Sequence, residues 1–335
     1  MATLSKDCFD RKGQDAACKA TGYVQPMINQ QMIGREWGIL LFLAIIWGGA
    51  FMFIGVAVRH VEPLTYVWLR LTIASGAMFL FLKLKGHQLD LPREVWGSIL
   101  LLALLNNALP FTLFGWGQTH IASGLASILN ATTPIWGVLV AHLFTQDERM
   151  TPRKIAGVLL GFAGVATMIG PMLLTNVGTD AVAQLACIAA ALSYAFAAVW
   201  ARRFRRMGVS PMSVTTGQLT AGALMMLPLA LLVDQPWTQP FPPLSAWGAI
   251  IALALLCTAL GYVLYFRLIE TAGATNALLV TLLVPPFAIM FGSVFLNEAL
   301  APQDFIGLAL IALGLAAIDG RLLKLWSARS ARQAA

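Results

Sequence analysis

The stretch NATTPIWGVLVAHLFTQDERMTP, Asn130 to Pro152, decides how this chain is read. An apolar run carries a proline near its start, Pro134, reaches an acidic turn at Asp147 and Glu148, and restarts at Pro152. The figure returns as TLLVPPFAIMFGSVFLNEALAP, Thr281 to Pro302, with Pro285, Glu298 and Pro302 in the same places. A figure drawn twice in one chain indicates internal duplication. Neighbouring stretches extend the match. LLNNALPF at Leu104–Phe111 lines up with LLCTALGY at Leu255–Tyr262, and PLTYVWLRLT at Pro63–Thr72 with PMSVTTGQLT at Pro211–Thr220. The second alignment sets Arg70 opposite Gln218, and Gly157 falls opposite Gly307.

Composition defines the environment. Of 335 residues, 59% are hydrophobic and 11% charged, with a mean hydropathy of +0.76. Soluble domains are roughly a quarter charged, so a water-soluble globule does not fit. A membrane-crossing helix needs ~20 mostly apolar residues, and past Arg35 the chain is little else. Ten such runs are read: Trp37–Val58, Leu64–Leu84, Val95–Trp116, Gly124–Phe144, Ile155–Leu173, Val182–Trp200, Ser213–Val233, Ala246–Leu268, Asn276–Phe295 and Phe305–Leu322. The expected fold is an all-α polytopic membrane protein of ten transmembrane helices, built as two inverted five-helix repeats. Residues 1–35 read as a disordered cytoplasmic leader, 36–174 as the first repeat, 180–322 as the second and 323–335 as a cytoplasmic tail.

The net charge of +7 reads as topology rather than as affinity for nucleic acid. One alternate set of loops holds Lys83, Lys85 and Arg93, then Arg149, Arg153 and Lys154, then Arg202, Arg203, Arg205 and Arg206, then Arg267. The tail adds Arg321, Lys324, Arg329 and Arg332, whereas the other set of loops holds only Arg59. Positive residues are retained inside, so both termini are expected in the cytoplasm. Five spans per half is an odd number, so the halves run in opposite senses, with Glu148 facing the cytoplasm and Glu298 the outside. Such inverted repeats place a substrate site near the midplane between halves. Cys8, Cys18, Cys187 and Cys257 form no C-x-x-C pair and support neither a metal site nor a disulfide framework.

With IIWGGAF at Ile45–Phe51, PLTYVWLR at Pro63–Arg70 and the two opening figures, the chain resembles the EamA-type transporters of the drug/metabolite transporter superfamily. The resemblance covers roughly residues 37 to 320, so that 36–174 and 180–322 would each be one EamA-type repeat. It implies a ten-helix carrier of the bacterial inner membrane, usually exporting small metabolites, amino acids or drugs by alternating access. Two departures touch turn geometry. The interval from Pro134 to Glu148 is one residue longer than that from Pro285 to Glu298, and Asn297 stands where the family commonly has Gly.

Candidate residues are those that are unusual inside lipid. Arg70 is the one ionisable residue well inside a span; a charge there is costly and marks a functional site by default, with an architectural role as the alternative. Asn106 and Asn107 lie mid-span before Pro110, opposite Cys257 and Thr258, and serve either a cavity wall or interhelical contacts. Asn130, Thr132 and Thr133 precede Pro134, where a proline frees backbone carbonyls. Pro134, Pro285 and Pro286 are expected helix breaks or hinges. Trp47 and Tyr194 hold comparable places in the first span of each half, and Phe111 and Tyr262 in the third, with Tyr265 nearby; aromatic walls suit amphipathic or cationic solutes. The substrate-binding set is therefore Trp47, Arg70, Asn106, Asn107, Asn130, Thr133, Tyr194, Gln218, Tyr262 and Tyr265. Glu148 and Glu298 are expected to cap the helices that restart at Pro152 and Pro302, with gating as the alternative. Gly157, Gly161 and Gly164 predict close helix packing.

The rival classes are a membrane-embedded lipid-modifying enzyme and a passive channel. An enzyme needs convergent nucleophile, base or metal ligands, whereas His60, His87, His120 and His142 are scattered. No catalytic residue, metal or cofactor is expected. The partners are a small-molecule substrate and the lipid bilayer, not nucleic acid, with a monomer expected and a homodimer as the alternative.

Overall fold

A computed structural model describes residues 34–319 apart from 90, 146–149, 176–177 and 278. The leader up to residue 33, the tail 323–335 and Glu148 lie outside the described residues. Proline opens several of the helices. Pro63, Pro152, Pro211 and Pro302 each stand at a helix start, where the missing N–H has no partner to lose. Glycines in the left-handed region follow helix ends at Gly86 (φ 68°), Gly208 (φ 70°) and Gly273 (φ 83°).

Between these marks run α1 (Gly34–Ala57), α2 (Pro63–Leu84), α3 (Arg93–Gly117), α4 (Ser123–Phe144), α6 (Thr179–Arg206), α7 (Pro211–Asp234) and α8 (Leu244–Ala272). These seven are long and apolar enough to cross a membrane. Three further apolar helices are α5 (Pro152–Thr175), α9 (Val280–Leu296) and α10 (Pro302–Asp319), and a single helical turn at Ala274–Ala277 precedes α9. Large apolar side chains such as Leu80, Leu143, Leu159 and Leu313 lie on the outside at 57–72% exposure. A surface of that kind is stable against acyl chains and not against water.

Three helices carry a widened turn. The widened π-helical turn occurs at Leu104–Ala108 in α3 and at Leu253–Leu260 in α8, and again at Ala230–Asp234, the end of α7. The first two fall within the aligned stretches LLNNALPF and LLCTALGY or overlap them. Pro110 explains part of the first, because it cannot donate to the Leu105 carbonyl five residues back. That carbonyl instead accepts from Ser193 Oγ at 2.7 Å. In α8 the Leu253 carbonyl accepts from Thr258 Oγ1 at 2.8 Å, and the Cys257 carbonyl from Trp47 Nε1 at 3.0 Å.

Packing follows a rule of exchange. Helix α2 lies along α7, α5 along α10, and α4 against α9; α1 packs on α8 and α9 while α6 packs on α3 and α4. Replacing each helix by the one five places later leaves this set of neighbours unchanged. The α5–α10 seam is built from glycine. A Cβ added to Gly157 would lie 2.5 Å from the Gly314 carbonyl oxygen, and one on Gly164 would lie 2.7 Å from that of Gly307. Helices meeting backbone to backbone need small residues at the crossing.

Candidate functional site

The two π-turns bring polar groups to the centre of the bundle. In α3, Asn106 Nδ2 donates to Gln218 Oε1 of α7 at 3.0 Å and to the Tyr262 hydroxyl of α8 at 3.1 Å. That hydroxyl donates in turn to Asn107 Oδ1 at 3.3 Å. Asn107 is fully buried, and its Nδ2 has no partner among the described residues. Beside this cluster, Arg70 Nε of α2 donates to Thr258 Oγ1 at 2.9 Å, and its guanidinium lies 3.7 Å from the centroid of Phe111. One turn earlier, the Tyr66 hydroxyl donates to the Phe111 carbonyl at 2.6 Å. Gly115 makes this possible, since a Cβ there would overlap the Tyr66 ring.

Aromatic rings form the surroundings. Trp47 and Tyr265 have centroids 5.4 Å apart, Phe114 lies edge-on to Phe51 at 5.7 Å, and Phe114 stacks on Tyr194 at 6.2 Å. Trp47 reaches α8 because Gly261 carries no side chain; a Cβ there would lie 2.7 Å from the indole nitrogen. Eight of the ten expected residues therefore share one region: Trp47, Arg70, Asn106, Asn107, Tyr194, Gln218, Tyr262 and Tyr265.

Asn130 and Thr133 bond locally instead. Thr133 Oγ1 donates to the Asn130 carbonyl at 2.7 Å, and Thr132 Oγ1 to that of Leu129 at 2.6 Å. These hydroxyls re-satisfy carbonyls at the interruption in α4 just before Pro134. The expectation of matching breaks needs correction. Among the described residues α4 is interrupted, but α9 continues as one helix through Pro285 and Pro286. The buried turn around Pro285 is braced by α1, where Gly48 lets that helix approach; a Cβ there would lie 2.6 Å from Phe287 Cβ.

Glu298 also differs from expectation. Its Oε2 accepts from Ser123 N at 2.9 Å, Ser123 Oγ at 2.6 Å and Gly124 N at 3.4 Å, which is the start of α4 and not of α10. The reason is local: the residue before α4 is Ala122, which has no side-chain acceptor. At the head of α10, Asp304 Oδ2 accepts from Ala301 N at 2.9 Å. Asn297 adopts the left-handed conformation (φ 56°) that turns the carboxylate toward α4, a role Asn fills where Gly is common. Asp234 makes a similar link, accepting from Thr65 N at 2.7 Å near the start of α2. We expect Glu298→Ala to lower stability by ~1–2 kcal/mol and Ser123→Ala by less, with the double variant less than additive. Thermal unfolding in detergent checks this; additive losses would mean the two side chains act separately.

Sequence reasoning missed Tyr66, Ser193, Ser123 and Asp234. Tyr66 had a signal, one turn from Arg70 on the same helix face; the others show only once distant helices meet. Among the described residues no group of three or more His, Cys, Asp or Glu is placed to hold a metal ion.

The sequence model of the EamA-like transporter family matches residues 36–170 and again residues 181–318. The chain belongs to the EamA-like transporter family. Similar proteins include YoaV, an uncharacterized transporter of Bacillus subtilis, 25% identical over 82% of this chain and 94% of that protein. A probable terminal-alkyne amino-acid exporter of Streptantibioticus cattleyicolor is 28% identical over 86% of this chain and 94% of its own. YedA, an uncharacterized inner membrane transporter of Escherichia coli K12, is 25% identical over 82% and 87%. A solved crystal structure superposes with a TM-score of 0.60 at 22% identity, covering 83% of this chain and 94% of that one. Membership makes the chain a membrane transporter and gives the central cluster its meaning as a candidate site.

Proposed function

We propose that the chain is a secondary carrier of the bacterial inner membrane that exports small organic solutes, amino acids among them, by alternating access. The observation that carries this reading is the polar cluster of Asn106, Asn107, Gln218 and Tyr262, joining α3, α7 and α8 inside a wall of aromatic rings. Groups able to hydrogen-bond a solute are thus offered at the middle of an otherwise apolar bundle, between its two halves. Support for inverted halves comes from the double family match, the exchange rule of packing and the alternation of Lys and Arg between loops. Support for amino acids comes from the exporter of Streptantibioticus cattleyicolor.

In the proposed orientation both termini are cytoplasmic, and the links from Asp234 to α2 and from Glu298 to α4 close the outer face. Two measurements test the reading. Purified protein in liposomes loaded with a broad set of metabolites is expected to release at least one of them faster than empty vesicles do; release of none defeats the carrier. Reporter fusions are expected to place Arg202–Arg206 in the cytoplasm and Asp234–Pro243 outside; the reverse labelling defeats the inverted arrangement.

A further inference from the structure

We infer that the solute carries a single carboxylate and that Arg70 receives it. This rests on the carrier reading above and adds to it a chemical class. Arg70 is 6% exposed. Its Nε is taken by Thr258, one face of its guanidinium by Phe111, and the Tyr66 hydroxyl one turn away also bonds to it. The ionisable side chains near it are Tyr66, Tyr194, Cys257 and Tyr262, none of them a carboxylate. No acidic side chain among the described residues pairs with it.

Buried arginines are normally matched by a carboxylate of the same protein, because an unpaired charge in a low-dielectric interior is strongly unfavourable. A cation held by two hydroxyls and a ring, but by no anion, is matched fully only when an anion arrives from outside. The terminal N–H groups of a guanidinium form a planar fork that fits a carboxylate with two parallel hydrogen bonds. One guanidinium neutralises one negative charge, which favours a monocarboxylate over a phosphate ester carrying nearly two.

A second observation points the same way. The Asn107 amide is fully buried with its Nδ2 unpartnered, and its Oδ1 is held by Tyr262, the residue that also lies within reach of Arg70. An unused donor in a dry site is costly unless an acceptor visits it. A carboxylate has lone pairs for both the fork and this amide. The surrounding rings of Trp47 and Tyr265 would then hold the apolar body, or the ammonium of an amino acid over an aromatic face.

The test uses the full chain in liposomes and four matched series with aromatic and aliphatic bodies: amino acids, the corresponding plain carboxylic acids, amino-acid amides and amines. L-phenylalanine, 3-phenylpropionate, L-phenylalaninamide and 2-phenylethylamine form the aromatic set. The expected result is counterflow of acids over amides and amines by about tenfold or more. If both acid series move, the carboxylate alone suffices; if only the amino acids move, it is read together with the ammonium. Arg70→Gln is expected to remove the preference. Arg70→Lys keeps the cation and loses the fork, so it is expected to weaken acids about tenfold and leave amines unchanged; it carries the test if Arg70→Gln does not fold. Amides or amines moving as well as acids in the wild type, or a preference that survives at Arg70→Gln, overturns the inference and leaves the carrier standing. Movement of none of the four series, nor of any other solute tested, removes the carrier reading and this inference with it.

Discussion

Gly314→Leu is expected to prevent the chain from reaching a stable fold. The Cβ alone would lie 2.5 Å from the Gly157 carbonyl oxygen and 3.0 Å from the Gly161 nitrogen. Both are backbone atoms of α5, so no rotamer change relieves the overlap and the helices must part. Overpacking a core with flexible neighbours costs ~1–3 kcal/mol. Separating two helices along a glycine seam exceeds that and approaches the whole margin of a typical protein, about 5–15 kcal/mol. Gly76→Leu is the control, because nothing lies within 4 Å of a Cβ at that position. The measurement is monodisperse yield and thermal unfolding in detergent. A Gly314→Leu protein that purifies and unfolds like wild type would show that the seam tolerates separation.

The second large effect concerns transport. Asn106→Leu keeps the volume of the side chain but removes both donors, leaving Gln218 Oε1 and the Tyr262 hydroxyl without their shared partner. Interhelical hydrogen bonds in membranes average ~0.6 kcal/mol, with the strongest near 1.7, so stability is expected to fall by only ~1–2 kcal/mol. Solute release is expected to fall at least about tenfold, since the cluster loses the groups that orient both a glutamine and a tyrosine toward the solute. The comparison is Asn107→Ala, which leaves the Asn106 bonds in place but removes both the unpartnered Nδ2 and the Oδ1 that accepts from Tyr262. Equal solute release by wild type and Asn106→Leu, with the expected loss of stability, would make the cluster a brace between helices and move the site elsewhere.

Much of the architecture is legible in the sequence. Long apolar runs and prolines at restarts are local signals, and each reports on its own stretch of chain. Arg70, Asn106 and Gln218 stood out for a related reason: a polar group inside an apolar run is conspicuous whatever it touches. Its partner is not. Alignment of the halves sets Arg70 opposite Gln218, yet Arg70 reaches Thr258 and Gln218 is held by Asn106. Pairings of that kind depend on helix rotation, which a periodic pattern leaves loose. Asn130 and Thr133 drew attention through Pro134, but a threonine hydroxyl can always return to a carbonyl three or four residues back. Glu298 was legible as a capping group, while its target lies 175 residues away.

The π-turns of α3 and α8 make each of these helices two faces in one. A straight α-helix advances about 100° per residue, so one surplus residue in a turn rotates everything beyond it by that angle. The side of α3 that looks at lipid below the turn is therefore not continuous with the side that looks at lipid above it. A stripe of apolar residues followed along such a helix with one fixed period drifts from the interior to the surface at midpoint. The two ends of each helix can then suit different neighbours, and the place where phase is lost is the place where the polar groups gather.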